Sequence, residues 1–317
     1  TPQNARIWYI SPKEPHNKVA YFVDAPYQVD KISAETFSKW QKASSAIDLS
    51  LPKLNPYIPD DFTLIKPEKS TDHPQLIVDE PQLRLVYMPS RYFASEPKAD
   101  ITMILRNPQA MDSAKSQVMF ALNDYLAGIA LDQLSNQAAV GGISFSTGAN
   151  NGLMLNANGY TQRLPQLFDA LLQGYFSYTP TEEQLEQAKS WYKQMMDSAE
   201  KGKAYEQAIM PIQMVSQVPY FQRDERKALL PSITLKEVME YRDQLKAGGR
   251  PEFMVIGNLS REQSTTLARN VQTQLGAHGN EWCRNKDVLV DKQQNAIFEK
   301  AGSSTDSALA AVFVPPN

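Results

Sequence analysis

The spacing of hydrophobic positions changes along this chain, and each change marks an element. Short apolar runs at 83–88 and 101–106 predict two strands, separated by Pro89-Ser90 and a polar stretch to Asp100. From Met111 the spacing widens. Val118, Leu122, Tyr125, Leu126 and Ile129 recur at three- and four-residue intervals, the stripe of a helix running towards Gln137. Gly141-Gly142 then turns the chain, and 143–147 and 153–158 predict two strands joined through Asn151-Gly152, a hairpin-turn pair. A second helix is expected over 164–173. Further helix starts are marked by Thr181 with Gln184, Thr234 with Glu237 and Ser260 with Gln263, the hydroxyl-then-carboxamide or carboxylate spacing of a capping box. Between the last two, 252–257 reads as an apolar strand.

The first fifty residues follow a looser pattern. Twelve of the 21 prolines fall in the first hundred residues, and no glycine precedes Gly128, so extended, interrupted segments are expected there. Residues 6–10 and 21–23 read as short strands, and a helix starts at 33–36 with Phe37 and Trp40 on one face. Pro52, Pro56 and Pro59 hold 53–62 extended, which places a domain boundary just before it. At the other end, 295–300 reads as the start of a strand and 308–314 as a fully apolar one. Its backbone and side chains need partners that the chain does not evidently supply. Either the chain stops inside a further domain, or this strand pairs back into the preceding sheet.

Composition narrows the function classes. Hydrophobic residues make up 42%, enough for packed cores. The net charge of −3, with a pI near 5.7, argues against nucleic-acid binding. No run of eighteen apolar residues suggests a spanning helix, so no membrane partner is expected. The lone Cys283 excludes an intramolecular disulfide and a multi-cysteine metal site.

Candidate chemistry is sparse. Thermolysin-type zinc catalysis needs two histidines a helical turn apart and a carboxylate. His16, His73 and His278 each stand alone. Glu182, Glu183 and Glu186 suit the positive end of a helix better than a metal. Neither Gly142-Ile143-Ser144 nor Gly302-Ser303-Ser304 forms the Gly-x-Ser-x-Gly elbow. Cys283 and His278 are close in sequence, but nothing positions them as a pair, and the glycine pairs lack a following Lys-Ser/Thr for phosphate. Arg223, Arg226 and Lys227 are interleaved with Asp224 and Glu225, as on a solvated face with local ion pairs.

Several motifs nevertheless occur in a specific order. They are Asn55-Pro56-Tyr57-Ile58-Pro59 with Phe62, Leu126-Ala127-Gly128-Ile129-Ala130, Gly141-Gly142-Ile143-Ser144-Phe145-Ser146-Thr147, Asn156-Ala157-Asn158-Gly159-Tyr160 and Val255-Ile256-Gly257-Asn258-Leu259-Ser260. In that order they resemble the insulysin-like branch of the M16 zinc metallopeptidases. An active domain of that family carries His-x-x-Glu-His on the helix before the glycine turn. Here that helix reads Phe120-Ala121-Leu122-Asn123-Asp124-Tyr125-Leu126-Ala127.

The resemblance implies an α+β fold, an antiparallel-rich sheet with helices packed on one face, plus partial flanking domains. It implies four such domains closing like a clamshell around a peptide-sized chamber, with zinc in the first. On that map 1–51 is the tail of a preceding domain and hinge linker, 52–287 a complete non-catalytic domain, and 288–317 the start of a truncated one. No catalytic or metal-binding residue is then expected in this chain; zinc is the cofactor of the parent protein alone. The implied partners are a peptide or small-protein substrate and the N-terminal catalytic half of the same protein, and the implied compartment is the periplasm. Strands 143–147 and 153–158 take the place that lies beside bound peptide in an active domain, so Phe145 and Leu155 are the candidate substrate-binding residues, acting through strand addition. The competing expectation is an inactive M16-like scaffold or peptide-binding module that supports a separate catalytic subunit.

Overall fold

The computed structural model describes residues 4–43, 53–66, 72–107, 110–276, 286–287, 297, 299 and 306–311. It divides into two compact units, residues 1–54 and 55–317.

In the first unit, β1 (Lys18–Val19) and β2 (Pro26–Tyr27) form a small antiparallel pair, followed by α1 (Ala34–Ala43). Ser33 Oγ accepts from the Thr36 amide, and the Phe37 and Trp40 rings meet edge-on at 5.6 Å, as the one-face spacing requires. Two expectations fail here. Residues 21–23 are the connection between β1 and β2, closed by the Ala20 amide donating to the Ala25 carbonyl. Residues 6–10 pair with no strand among the described residues, and Trp8 and Ile10 stand exposed. Apolar identity does not make a strand without a neighbouring backbone to pair with.

The second unit is built on one six-stranded sheet. Its strands are β3 (Gln75–Glu80), β4 (Leu83–Pro89), β5 (Lys98–Arg106), β6 (Ile143–Ala149), β7 (Gly152–Tyr160) and β9 (Arg250–Gly257), arranged in the order β3-β4-β9-β5-β7-β6. All neighbours are antiparallel except β4 and β9. The helices are α2 (Ala114–Val140), α3 (Leu164–Ser177), α4 (Glu182–Glu200), α5 (Ala204–Ser216), α6 (Arg223–Leu229), α7 (Leu235–Ala247) and α8 (Arg261–Leu275). A second small antiparallel pair joins β8 (Gln217–Val218) to β10 (Lys286–Asp287).

Strand alternation assigns the two faces of the sheet. Leu83, Leu85 and Tyr87 of β4, Ile101, Met103 and Leu105 of β5, and Leu153, Leu155 and Ala157 of β7 are buried in the core. Against them pack α2, α3 and α8. The intervening residues, Asp100 and Thr102 among them, take the other face. The three capping boxes form as the sequence predicts, at α4, α7 and α8, and Ser113 with Ser116 adds a fourth at α2.

Helix α2 is buried on more than one side. Val118, Leu122 and Leu126 of the expected stripe are buried, but so are Met119, Phe120, Asn123 and Ala127. The reason is that α3, α4, α6 and α7 pack on it as well as β6. Tyr125 stacks on Trp191 of α4 at 4.8 Å, and Ile129 stays exposed.

The proline-rich segment at 55–62 lies strapped to the sheet domain. Asn55 Nδ2 donates to the Gln137 carbonyl near the end of α2, and Asn55 Oδ1 accepts the Tyr57 amide. Tyr57 is buried, Asp60 pairs with Arg163, and Phe62 meets the Tyr160 ring edge-on. At the α2 C-terminus a Cβ on Gly141 would overlap the Tyr57 carbonyl, and Gly142 adopts φ +70°, so both glycines are required by this turn.

The apolar run expected as a strand at 308–314 is not one where it is described. Residues 306–311 are unpaired with any described strand, and Leu309 is exposed. Residues 312–314 and most of the strand expected at 295–300 lie outside the described residues. Among the described residues no helix is long and apolar enough to cross a membrane.

Candidate functional site

The site of interest is where α2 packs on the sheet at β6, because α2 is the helix whose counterpart, by the resemblance above, is expected to carry the metal ligands. Its middle holds Asn123 and Asp124. Asn123 is fully buried; its Nδ2 donates to Tyr175 Oη at 3.1 Å, and its Oδ1 accepts from Tyr178 Oη at 2.7 Å. The Tyr175 hydroxyl donates onward to Asp124 Oδ1 at 3.1 Å. Asp124 also bonds Thr147 of β6. The network therefore ties α2 to α3, to Tyr178 just beyond it, and to the edge strand.

Electrostatics follow from burial. Desolvation pushes the Asp124 carboxyl above its usual range, and the bonds from Thr147 and Tyr175 only partly offset this. Burial likewise raises the Tyr175 and Tyr178 hydroxyls, so both remain proton donors. Such a set does not fit zinc. It offers no imidazole, its amide oxygen is occupied by a phenol, and its one carboxylate oxygen facing α3 already accepts a hydroxyl.

The other sequence candidates form no metal cluster among the described residues. His16 and His73 are exposed and lie in different units, and His278 and Cys283 are outside the described residues. Among the described residues no group of three His, Cys, Asp or Glu side chains could hold a metal ion. Glu182 and Glu183 occupy the first turn of α4. Lys227 bridges Asp197 and Asp224, and Arg226 lies against Tyr192, so the basic residues of α6 are half-buried rather than fully solvated.

Phe145 and Leu155, the expected substrate contacts, face the helices. Leu155 is completely buried on an internal strand, and Phe145 is half-buried against the core. Leu155 is thus a core residue, because the two-residue period points it towards α2 and α3. What β6 presents instead is its backbone edge, unpaired with any described strand, together with exposed Ser144 and Ser146. Neither charge nor proline guards this edge.

Sequence reasoning missed a polar ladder on the opposite face. Ser144 Oγ donates to Asn158 Oδ1 at 3.0 Å, Asn158 Nδ2 to Asn156 Oδ1 at 3.1 Å, and Asn156 Nδ2 to both oxygens of Asp100 at 3.0 Å. Thr102 Oγ1 donates to Asp100 Oδ1 at 3.0 Å. The signal was the alternation of Asn-x-Asn on β7 against Asp-x-Thr on β5.

The second unit is thus an α+β domain: a six-stranded, mostly antiparallel sheet covered by helices on one face, with a phenol-locked amide in the middle of one covering helix. Residues 1–228 match the family model described as the middle or third domain of peptidase M16, and the chain belongs to that family. It is 81% identical over 315 residues to Protease 3 of Escherichia coli (strain K12), an alignment covering 99% of this chain and 33% of that protein. The crystal structure of pitrilysin superposes with a TM-score of 0.84 at 80% identity, covering 96% of this chain and 32% of that one. The peptidase M16 inactive domain from Pseudomonas fluorescens shares the fold, with a TM-score of 0.51 at 16% identity over 67% of this chain and 53% of its own. The chain spans about a third of the length of the curated relatives it matches.

Proposed function

We propose that this chain is the non-catalytic part of a zinc-dependent metalloendopeptidase that degrades peptides and small proteins in an enclosed chamber. Its role is to form one wall of that chamber and to hold substrate against it. The observation that carries this reading is the 81% identity to Protease 3 along nearly the whole chain, joined to a buried α2 hydrogen-bond network whose groups are unsuited to zinc. Zinc and the general base would come from an N-terminal half of the same protein, and the compartment would be the periplasm.

The edge of β6, unpaired with any described strand, is the place where an extended substrate would add as a further strand, by backbone hydrogen bonds rather than through Phe145 or Leu155. Closing a chamber around such a strand orients the peptide and excludes water at the metal.

The test assays a quenched fluorescent peptide with this chain, with the zinc-bearing half, and with both. Turnover is expected from the recombined halves and not from this chain with added zinc. Zinc-dependent turnover by the chain alone overturns the reading. Osmotic-shock fractionation of cells tests the compartment; recovery with cytoplasmic markers overturns the periplasmic assignment.

A further inference from the structure

The sheet face turned away from α2, α3 and α8 carries two carboxylates on its central strands, Asp100 of β5 and Glu252 of β9; Glu252 is paired with Arg106 and Arg250, and Asp100 stands apart from that cluster. The ladder described above converges on Asp100. Ser144, Asn158 and Asn156 donate in one direction, strand to strand, from the β6 edge across β7 to β5. Thr102 adds a donor from the same strand. Aligned neutral dipoles hold the carboxylate in a fixed orientation but supply no counter-charge.

No cation among the described residues pairs with it. Lys98, two positions before it on the same face, is held by Glu96 at 2.8 Å and lies over the Tyr160 ring. Arg106, further along β5, is held by Glu252 at 3.1 Å and by the Asn150 carbonyl. The residues directly across from Asp100 are Ile256 on β9 and Asn158 on β7, both uncharged. Asp100 itself is half-buried, so it is neither lost in the core nor freely rotating in solvent.

From this we infer that Asp100 is a subsite for a cationic group on an extended peptide lying across the open sheet face. Ligand selection follows from charge complementarity: an ammonium or guanidinium supplies the counter-charge that the sheet withholds, while the fixed carboxylate loses little freedom on binding it. The inference rests on the chamber reading above and adds to it a preference for basic substrates.

The experiment uses the full-length protein and otherwise identical peptides with a Lys or a Gln at one position, both acetylated at the amino terminus. A third peptide has the Gln and a free amino terminus, which separates a side-chain cation from a terminal one. Asp100→Asn is expected to reduce the kcat/KM preference for the Lys or free-amine peptide over the neutral one by about tenfold, acting through KM, as suits loss of a charge-assisted bond. An unchanged preference in a folded variant overturns the inference. Asp100→Ser, which removes the charge and keeps a small acceptor for Asn156, answers the same question should the first variant not fold. A photo-crosslinker at Ser146 separates the two levels of the argument. Labelling of all peptides with no charge preference sinks only the cation subsite, whereas no labelling by any peptide sinks the chamber-wall reading as well.

Discussion

Tyr175 donates its hydroxyl to Asp124 while accepting from Asn123, one residue away on the same helix. A single phenol therefore satisfies two neighbouring polar side chains in the body of α2. Tyr175→Phe should leave both without that partner in a buried setting and cost about 1–3 kcal/mol. Urea denaturation of the isolated chain measures this, and a loss well below 1 kcal/mol would show that water replaces the hydroxyl at no cost.

Burial raises the Asp124 carboxyl, so the folded state holds its proton more tightly than the unfolded state does. Its stabilising contribution is complete below the ordinary carboxylate value of 3.8 and is lost as pH rises through the raised folded value. Glu237 has the opposite sign. Lys115 and Thr234 hold its carboxyl down to about 2, so its contribution is present above 4.5 and is lost as pH falls towards that value. Denaturation across pH should show Asp124→Asn removing a loss on the rising side and Glu237→Gln removing one on the acid side. The same slope in wild type and both variants would contradict both assignments.

Gly141→Ala should loosen the strap. The added methyl collides with backbone at Tyr57 rather than with a flexible side chain, so the segment must shift. A cost of about 1–3 kcal/mol is expected for such overpacking. Limited proteolysis should then cut within 55–62 faster than in the wild type, and equal cleavage rates would argue that the turn relaxes elsewhere.

Leu155 and Ser146 should behave oppositely. Leu155→Ala opens a cavity in the core between sheet and helices and should cost about 2–5 kcal/mol of stability. Ser146→Lys places a charge on the exposed β6 edge, should hardly change stability, and should raise KM of the full-length protein for extended peptides. Steady-state kinetics beside thermal melting decide it; a KM unchanged by Ser146→Lys in a folded protein removes the edge from substrate binding.

Much of the sheet domain was legible because its periods are clean. The short apolar runs at 83–88 and 101–106, the hairpin-turn pair Asn151-Gly152, the wide stripe through α2, and the three capping boxes each specify local geometry with local residues. Failures came where geometry is set by a distant partner. The 21–23 and 308–311 runs are apolar enough for strands, yet strand pairing is a property of two segments and neither has a described neighbour. The same limit misplaced Leu155: position on a strand near the edge was readable, but which face meets the helices depends on α2 and α3 lying over it. Asp100 escaped notice because, Thr102 apart, its donor Asn156 comes from another strand 56 residues later.

Strand β9 sits between β4 and β5, which follow one another in sequence but do not touch in the sheet. On the ribosome, β4 is complete at Pro89, already beside β3, but its second neighbour β9 is complete only at Gly257. At typical elongation rates the gap is roughly 10–30 s. Throughout that interval β4 and β5 are free to close on each other as an ordinary hairpin, a pairing that must be avoided or undone before β9 can enter. Nascent chains stalled before residue 250 should therefore hold chaperones longest, and the domain's birth, more than its finished stability, is the step most exposed to misassembly.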